Sequence, residues 1–313
     1  MLLVVGATGL SGCEKIKASI RPAPTGDAQW QADSSLLASN PDFLFRVRRL
    51  NGDVRVVPLT TIGAQGFRPL YFGNRGWRAF DLEYLQKGLK LNTYNDGRVV
   101  GKVELTMGMW ETSPLDTIPG CAVIAPAARA AVANGVTFLT NGKRGTPRPV
   151  RPLGAGELQA ALQTVTTLIA PTTGVSGSML AKYQREVHVV ASGASDWPTI
   201  VVVYDDAESL PDSIAPMGQR PRHLIVILDR GRYGYRPSYT YSTVSNRRSP
   251  PRYVFLDYLD VDDDGRAELF FGLREPPNPV FALYTYVLHF ENDAWREKLR
   301  YEARQCQAFE GGF

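Results

Sequence analysis

The chain has 313 residues, 44% of them hydrophobic and 21% charged, a length that suggests about two domains and an apolar share that rules out wholesale disorder. No run approaches the roughly 18 to 20 apolar residues of a membrane-spanning helix, and 35 Lys+Arg against 31 Asp+Glu leave too little net charge to demand a nucleic-acid partner. Gly and Pro, 29 and 22 residues, point to many turns, and the composition excludes collagen, coiled coil, membrane bundle and small disulfide scaffold.

The chain opens MLLVVGATGLSGC. Gly6, Gly9 and Gly12 after an apolar Leu2 to Val5 resemble the nucleotide loop of short-chain dehydrogenases. That loop needs a following helix, a second apolar strand and an acid about 20 residues on. Here Pro22 and Pro24 break the next segment, and no Tyr-x-x-x-Lys pair occurs. The run Leu10-Ser11-Gly12-Cys13 resembles instead the lipobox of bacterial lipoprotein signal peptides: an apolar stretch, small residues before the cut, then a cysteine. The resemblance implies that residues 1–13 are a signal peptide with its lipobox and that the Cys13 thiol carries the lipid. Residues 14–40 then read as a polar tether. No basic residue precedes Leu2, so either translation starts upstream of Met1 or the signal is unusually short. With Cys13 lipidated, Cys121 and Cys306 remain, and an oxidising compartment would let them pair as a disulfide; two buried free thiols are the alternative.

Ordered structure is expected from Phe43. The segment FLFRVRRL-NG-DVRVVPL alternates apolar and polar residues around Asn51-Gly52, which supplies the positive φ angles of a hairpin turn. LKLNTY, Asn95-Asp96-Gly97 and RVVGKVELTM predict a second hairpin. Trp77, Phe80 and Trp110 are candidates for a small β core in a domain spanning 41–150. The Ala-rich run after Pro126 predicts a short helix ending at Asn134-Gly135. Gly, Pro and Arg in quick succession over 135–153 read as a linker or long loop. Glu157 to Ala170 predicts a helix, with Leu158, Ala161, Leu162, Val165, Leu168 and Ile169 on one face and Pro171 as its stop; it is the core of a helical connector over 151–180. From 181 to 313 the runs VHVVAS, TIVVVYD, HLIVILD, YVFLDYLD, AELFFGL and VFALYTYVLHF read as strands. The stretches 198–241 and 251–301 look alike in rhythm, a twofold repeat of blade-like units. The fold class is therefore mainly β: two β domains with a short helical connector, the C-terminal part built from blade-like antiparallel units.

The stretch Asp260-Val261-Asp262-Asp263-Asp264-Gly265-Arg266-Ala267-Glu268 places acidic oxygens at positions 1, 3, 5 and 9, with Gly at 6. Alternate carboxylates on a curled loop converge on one point, as Ca²⁺ with its six to eight oxygen ligands requires. Arg266, at position 7, would offer its backbone carbonyl. Position 12 is Phe271 and the flanks read as strands, so the loop is not an EF-hand. It resembles the D-x-D-x-D-G-x-x-D/E-L hairpin loop of FG-GAP repeats, over about residues 251–301. The resemblance implies a Ca²⁺ site at Asp260, Asp262, Asp264, Arg266 and Glu268. Two positions depart from the family: Asp263 stands where Gly is usual, and Glu268 where Asp is.

Other signals carry less. Eight Arg over 219–252, interleaved with Tyr233, Tyr235, Tyr239 and Tyr241, read as a solvated face with Arg stacked on Tyr. His188, His223 and His289 lie at no ligand spacing and read as structural. Gly174-Val175-Ser176-Gly177-Ser178 lacks the last Gly of a nucleophile elbow, and Asp205-Asp206 sits at a strand end, where turn caps are common. The expectation is an extracytoplasmic, lipid-anchored binding or scaffolding protein of the cell envelope, periplasmic or at the cell surface, with Ca²⁺ as a structural staple. Its expected partners are the membrane, through Cys13, and an envelope protein or glycan; nucleic acid is not among them. The alternative is an envelope hydrolase acting on glycans or peptides with the acidic cluster near its site. A nucleotide-dependent oxidoreductase is a third, minor reading.

Overall fold

The protein is described here from a computed structural model, over residues 26–50, 53–63, 66–70, 72, 74–105, 107–109, 127–129, 131–173, 175–206, 221–244, 252–273 and 285–301. In chain order the elements are α1 (Gly26–Ala38), β1 (Asp42–Leu50), β2 (Asp53–Gly63), β3 (Gly66–Pro69), α2 (Asn74–Phe80) running into a π-helical turn (Asp81–Leu85), β4 (Lys90–Asn95), β5 (Arg98–Glu104), β6 (Met107–Met109), β7 (Ala127–Arg129), β8 (Phe138–Thr140), α3 (Ala155–Thr173), α4 (Gly177–Leu180), β9 (Gln184–Val190), β10 (Thr199–Asp205), β11 (Pro221–Gly231), β12 (Gly234–Val244), β13 (Tyr253–Leu259), β14 (Glu268–Leu273), β15 (Thr285–Glu291) and β16 (Ala294–Tyr301). The fold is mainly β, as the sequence predicts. The described strands form three sheets: a first with order β5-β4-β8-β1-β2-β7-β6 and β3 also paired to β2, a second with order β12-β11-β10-β9, and a third with order β13-β14-β15-β16. The second and third are meanders of consecutive antiparallel strands, the blade-like units that the repeat suggests.

The three sheets stack, and side-chain alternation shows how. On β14, Phe270 joins a core with Leu44, Val57, Leu59 and Phe138 of the first sheet. Its neighbours Leu269 and Phe271 point the other way, into a core with Val201, Val203, Ile225 and Ile227 of the second. The third sheet is therefore the middle layer. The outer face of the second sheet, Ile200, Val202, Leu224, Val226 and Leu228, is covered by Ala161, Leu162, Val165 and Ile169 of α3. The outer face of the first sheet, Phe43, Phe45 and Val56, is covered by Trp77, Phe80 and Leu85. The central strands β10, β11 and β14 are thus covered on both faces, whereas β5 and β9, at sheet ends, are largely exposed. That is why TIVVVYD and HLIVILD read as unbroken apolar runs: a strand covered on one side only would alternate.

Local chemistry accounts for the ends of the elements. The turn between β4 and β5 is Asp96-Gly97, with φ of 47° and 67°, so the predicted hairpin closes on two residues in the left-handed region. The β15–β16 turn uses Asn292-Asp293 in the same way, with φ of 52° and 60°. At the start of α3 the Glu157 carboxylate reaches back to accept the Gly154 N–H at 3.2 Å, which satisfies one of the donors that a helix N-terminus leaves open.

Four expectations need correction or relocation. The tether over 14–40 is helical from Gly26 to Ala38. Its prolines stop at Pro24, so nothing breaks the helix, and Leu36 and Leu37 pack on the first core while Arg75 stacks on Trp30 at 4.9 Å. The run after Pro126 is a strand, β7, paired to β2 and β6; sheet pairing overrides the helix propensity of Ala. Residues 138–140, inside the segment read as a linker, are the strand β8, buried between β1 and β4. α3 runs to Thr173, past Pro171. Asn51-Gly52, Trp110, Cys13, Cys121, Cys306 and the whole lipobox lie outside the described residues.

Candidate metal-binding loop

β13 and β14 pair as far as Leu259 and Glu268, so residues 260–267 form the loop of a hairpin. Asp263 takes a φ of 62° and Gly265 a φ of 83°. Asp tolerates this left-handed region better than most residues, so the departure at position 4 leaves the curl intact. Asp260 is fully buried at the base of the loop. Its Oδ2 accepts the Gly265 N–H at 3.0 Å, while its Oδ1 is buried with no hydrogen-bond partner. Asp264 Oδ1 accepts the Arg266 N–H at 2.7 Å.

The loop is gripped from two sides. The Arg148 N–H donates to the Gly265 carbonyl at 2.9 Å, Arg148 Nη2 to the Asp264 carbonyl at 3.3 Å, and Arg144 Nη1 to the Val261 carbonyl at 3.2 Å. Arg144 also pairs with Asp42 at the start of β1. On the other side the Ala267 N–H donates to the Ser192 carbonyl at 2.7 Å. A Cβ at Gly145 would overlap Asp260 Oδ2, so glycine lets the 142–148 segment lie flat on the carboxylates. One loop thereby joins the chain leaving β8, the turn after β9 and the middle sheet.

Asp260, Asp262 and Asp264 each offer a carboxylate oxygen, and the three lie within 4.8 Å of one another. Asp262 and Asp264 are exposed, so the group opens to solvent above the buried Asp260. Glu268 is placed differently: it is fully buried, its Oε2 accepts the Val261 N–H at 2.9 Å, and its Oε1 lies 2.8 Å from His289 Nδ1. It forms a second group with Asp262 and His289. The side chain of Arg266 lies by the Phe290 ring, 5.7 Å from its centroid.

Burial pushes the Asp260 carboxyl up to about 6, with the Asp264 and Asp262 charges adding to it and the N–H groups of Gly265 and Asp263 opposing it. Burial pushes Glu268 up to about 7, opposed by its hydrogen bond to His289. His289 is raised in turn, chiefly by that hydrogen bond. The loop thus resists carrying all its negative charge bare. A divalent cation would relieve the same strain, and the unpartnered Asp260 Oδ1 beside two exposed carboxylates fits one.

The other singled-out residues are structural. His223 is fully buried; its Nδ1 lies 2.7 Å from Asp205 Oδ1 and its Nε2 accepts the Tyr253 N–H at 3.1 Å. Both ring nitrogens are thereby committed, and they tie β11 to β13. Asp206 pairs with Arg252 at 3.2 Å. His188 packs against Phe255, with ring centroids 4.7 Å apart. In the Arg-rich stretch, Arg232 lies over Tyr233 at 5.4 Å, the Arg-on-Tyr stacking that the sequence suggests, whereas Arg230 stacks on Trp197, outside the stretch, at 3.7 Å.

Missed by sequence reasoning were His289, Arg144, Arg148 and Gly145. His289 reaches Glu268 only through the strand register Leu269↔Leu288, for which no spacing signal exists. Comparison with protein-family models, curated proteins and solved structures finds no significant match for this chain.

Proposed function

We propose that this is an extracytoplasmic, lipid-anchored binding or scaffolding protein whose acidic hairpin loop is a structural Ca²⁺ staple. The observation that carries the reading is Asp260: a buried carboxylate oxygen without a donor, in a loop where two more carboxylates converge and three segments meet. Ca²⁺ would be held by Asp260, Asp262 and Asp264, with the Arg266 carbonyl at position 7; Glu268, the further ligand that the loop's spacing offers, is turned to His289 instead. It would supply charge neutralisation and fasten the middle sheet to its neighbours.

A surface groove offers a place for a partner. It lies beside the edge strand β5, has a volume of about 290 Å³, and includes Thr93, Asn95, Lys102, Val103, Val132 and Val136 in its lining. Lys102 is the one charged side chain of its lining, which is otherwise small, polar or apolar. An extended segment of an envelope protein suits such an edge.

The anchoring part is tested by fractionating native cells and measuring the mass of the protein's N-terminal peptide. An acylated Cys13 in the membrane fraction is expected. A soluble chain with an unmodified Cys13 would overturn it. Calcium titration calorimetry on the EDTA-stripped protein tests the staple: wild type should bind one Ca²⁺, and Asp264→Asn should weaken it.

A further inference from the structure

We propose that the loop carries a second, inner metal position formed by Asp262, Glu268 and His289, and that it takes a divalent transition-metal ion of the Mn²⁺ to Zn²⁺ series. It stands apart from the calcium position, with which it shares Asp262.

The three side chains come from three places. Asp262 hangs from the exposed loop, Glu268 opens β14, and His289 lies on β15. The register Leu269↔Leu288 makes Glu268 and His289 cross-strand neighbours. Their ligand atoms and that of Asp262 all lie within 4.8 Å of one another. Donors around one ion at roughly 2.0 to 2.2 Å span at most about twice that radius, so small side-chain movements close the set.

The donor types decide the metal. Ca²⁺ takes oxygen ligands, whereas imidazole with carboxylates suits Mn²⁺, Co²⁺ and Zn²⁺. Glu268 is already oriented for the role. The Val261 N–H holds Oε2 at 2.9 Å, leaving Oε1 turned to His289 Nδ1 at 2.8 Å; a metal would replace the proton between them. Glu268 is fully buried and His289 is 8% exposed, so two ligands are shielded while Asp262 gives the ion a way in. The same loop holds Asp260 Oδ1, buried and without a hydrogen-bond partner, which belongs to the calcium group with Asp262 and Asp264. Two positions of different chemistry then share one carboxylate: an outer one of oxygens alone, and an inner one with a nitrogen.

The test uses the full chain stripped with EDTA. Co²⁺ is titrated while its visible absorption is followed, Zn²⁺ is used to displace it, and Ca²⁺ binding is measured separately. Wild type should develop a Co²⁺ spectrum that Zn²⁺ bleaches. His289→Gln should weaken Co²⁺ by roughly tenfold or more and leave Ca²⁺ binding within about twofold; Asp264→Asn should do the reverse. Ca²⁺ binding with no Co²⁺ spectrum in wild type overturns the inner position and leaves the calcium reading standing. Co²⁺ binding without Ca²⁺ supports the inner position and sinks the calcium reading. A folded His289→Gln protein that binds Co²⁺ as wild type does also overturns it; if that variant fails to fold, Asp264→Asn decides, since a Co²⁺ spectrum lost together with Ca²⁺ binding overturns the inner position and one retained supports it.

Discussion

The indole N–H of Trp295 donates to Asp229 Oδ2 at 2.7 Å, and the bond crosses from the third sheet to the second. Asp229 also accepts the hydroxyls of Thr199 and Ser238 at 2.6 Å each. One carboxylate thus gathers three donors at the seam between two stacked meanders.

Asp229→Ala should cost about 2 to 4 kcal/mol, because it strands those donors as well as deleting the bonds. Asp229→Asn keeps one acceptor and should recover part of the loss. Equilibrium urea unfolding gives the numbers. A cost below about 0.5 kcal/mol, typical of a surface site, would show that the seam does not depend on this residue.

α3 should behave as a packed helix. Leu162 is buried against the second sheet, so Leu162→Ala should cost about 2 to 5 kcal/mol. Leu168, expected on the same apolar face, is instead 48% exposed, and Leu168→Ala should stay within about 0.5 kcal/mol. Equal costs at the two positions would contradict the helix orientation.

Asp257 should give a pH signature. It is buried on β13, and burial, with the Asp96 charge, pushes its carboxyl up to about 6. In the unfolded chain the group titrates near 3.9. The folded state therefore holds the proton more tightly, and the stability it confers is fully present below about pH 4 and lost as pH rises through about 6. The contribution is on the order of 2 to 3 kcal/mol. Asp257→Asn mimics the protonated form, so its stability relative to wild type should improve by about that amount between pH 4 and pH 7.5. A difference that does not change with pH would rule this out.

The parts of the fold that were legible in the sequence are those with local causes. Asp96-Gly97 declares its hairpin through turn chemistry, the spacing of Leu162, Val165 and Ile169 declares α3, and the apolar runs of β10, β11 and β14 declare strands. Strand β8 was hidden because FLT is too short to show a period and lies among Gly, Pro and Arg. The stacking order was hidden because a strand buried on both faces carries no alternation to say what covers it. At the loop, the acidic spacing was readable, whereas the grip of Arg148 on Gly265 and the approach of His289 to Glu268 depend on contacts 117 and 21 residues apart in sequence.

The central claim is that Asp260, Asp262 and Asp264 hold a stabilising Ca²⁺, and thermal unfolding with and without the ion tests it most directly. Wild type in excess Ca²⁺, at about 100 times its dissociation constant, should be more stable than in EDTA by about 2.7 kcal/mol. Asp262→Ala combined with Asp264→Ala should erase the difference. Wild-type protein that unfolds at the same temperature in Ca²⁺ and in EDTA would contradict the account.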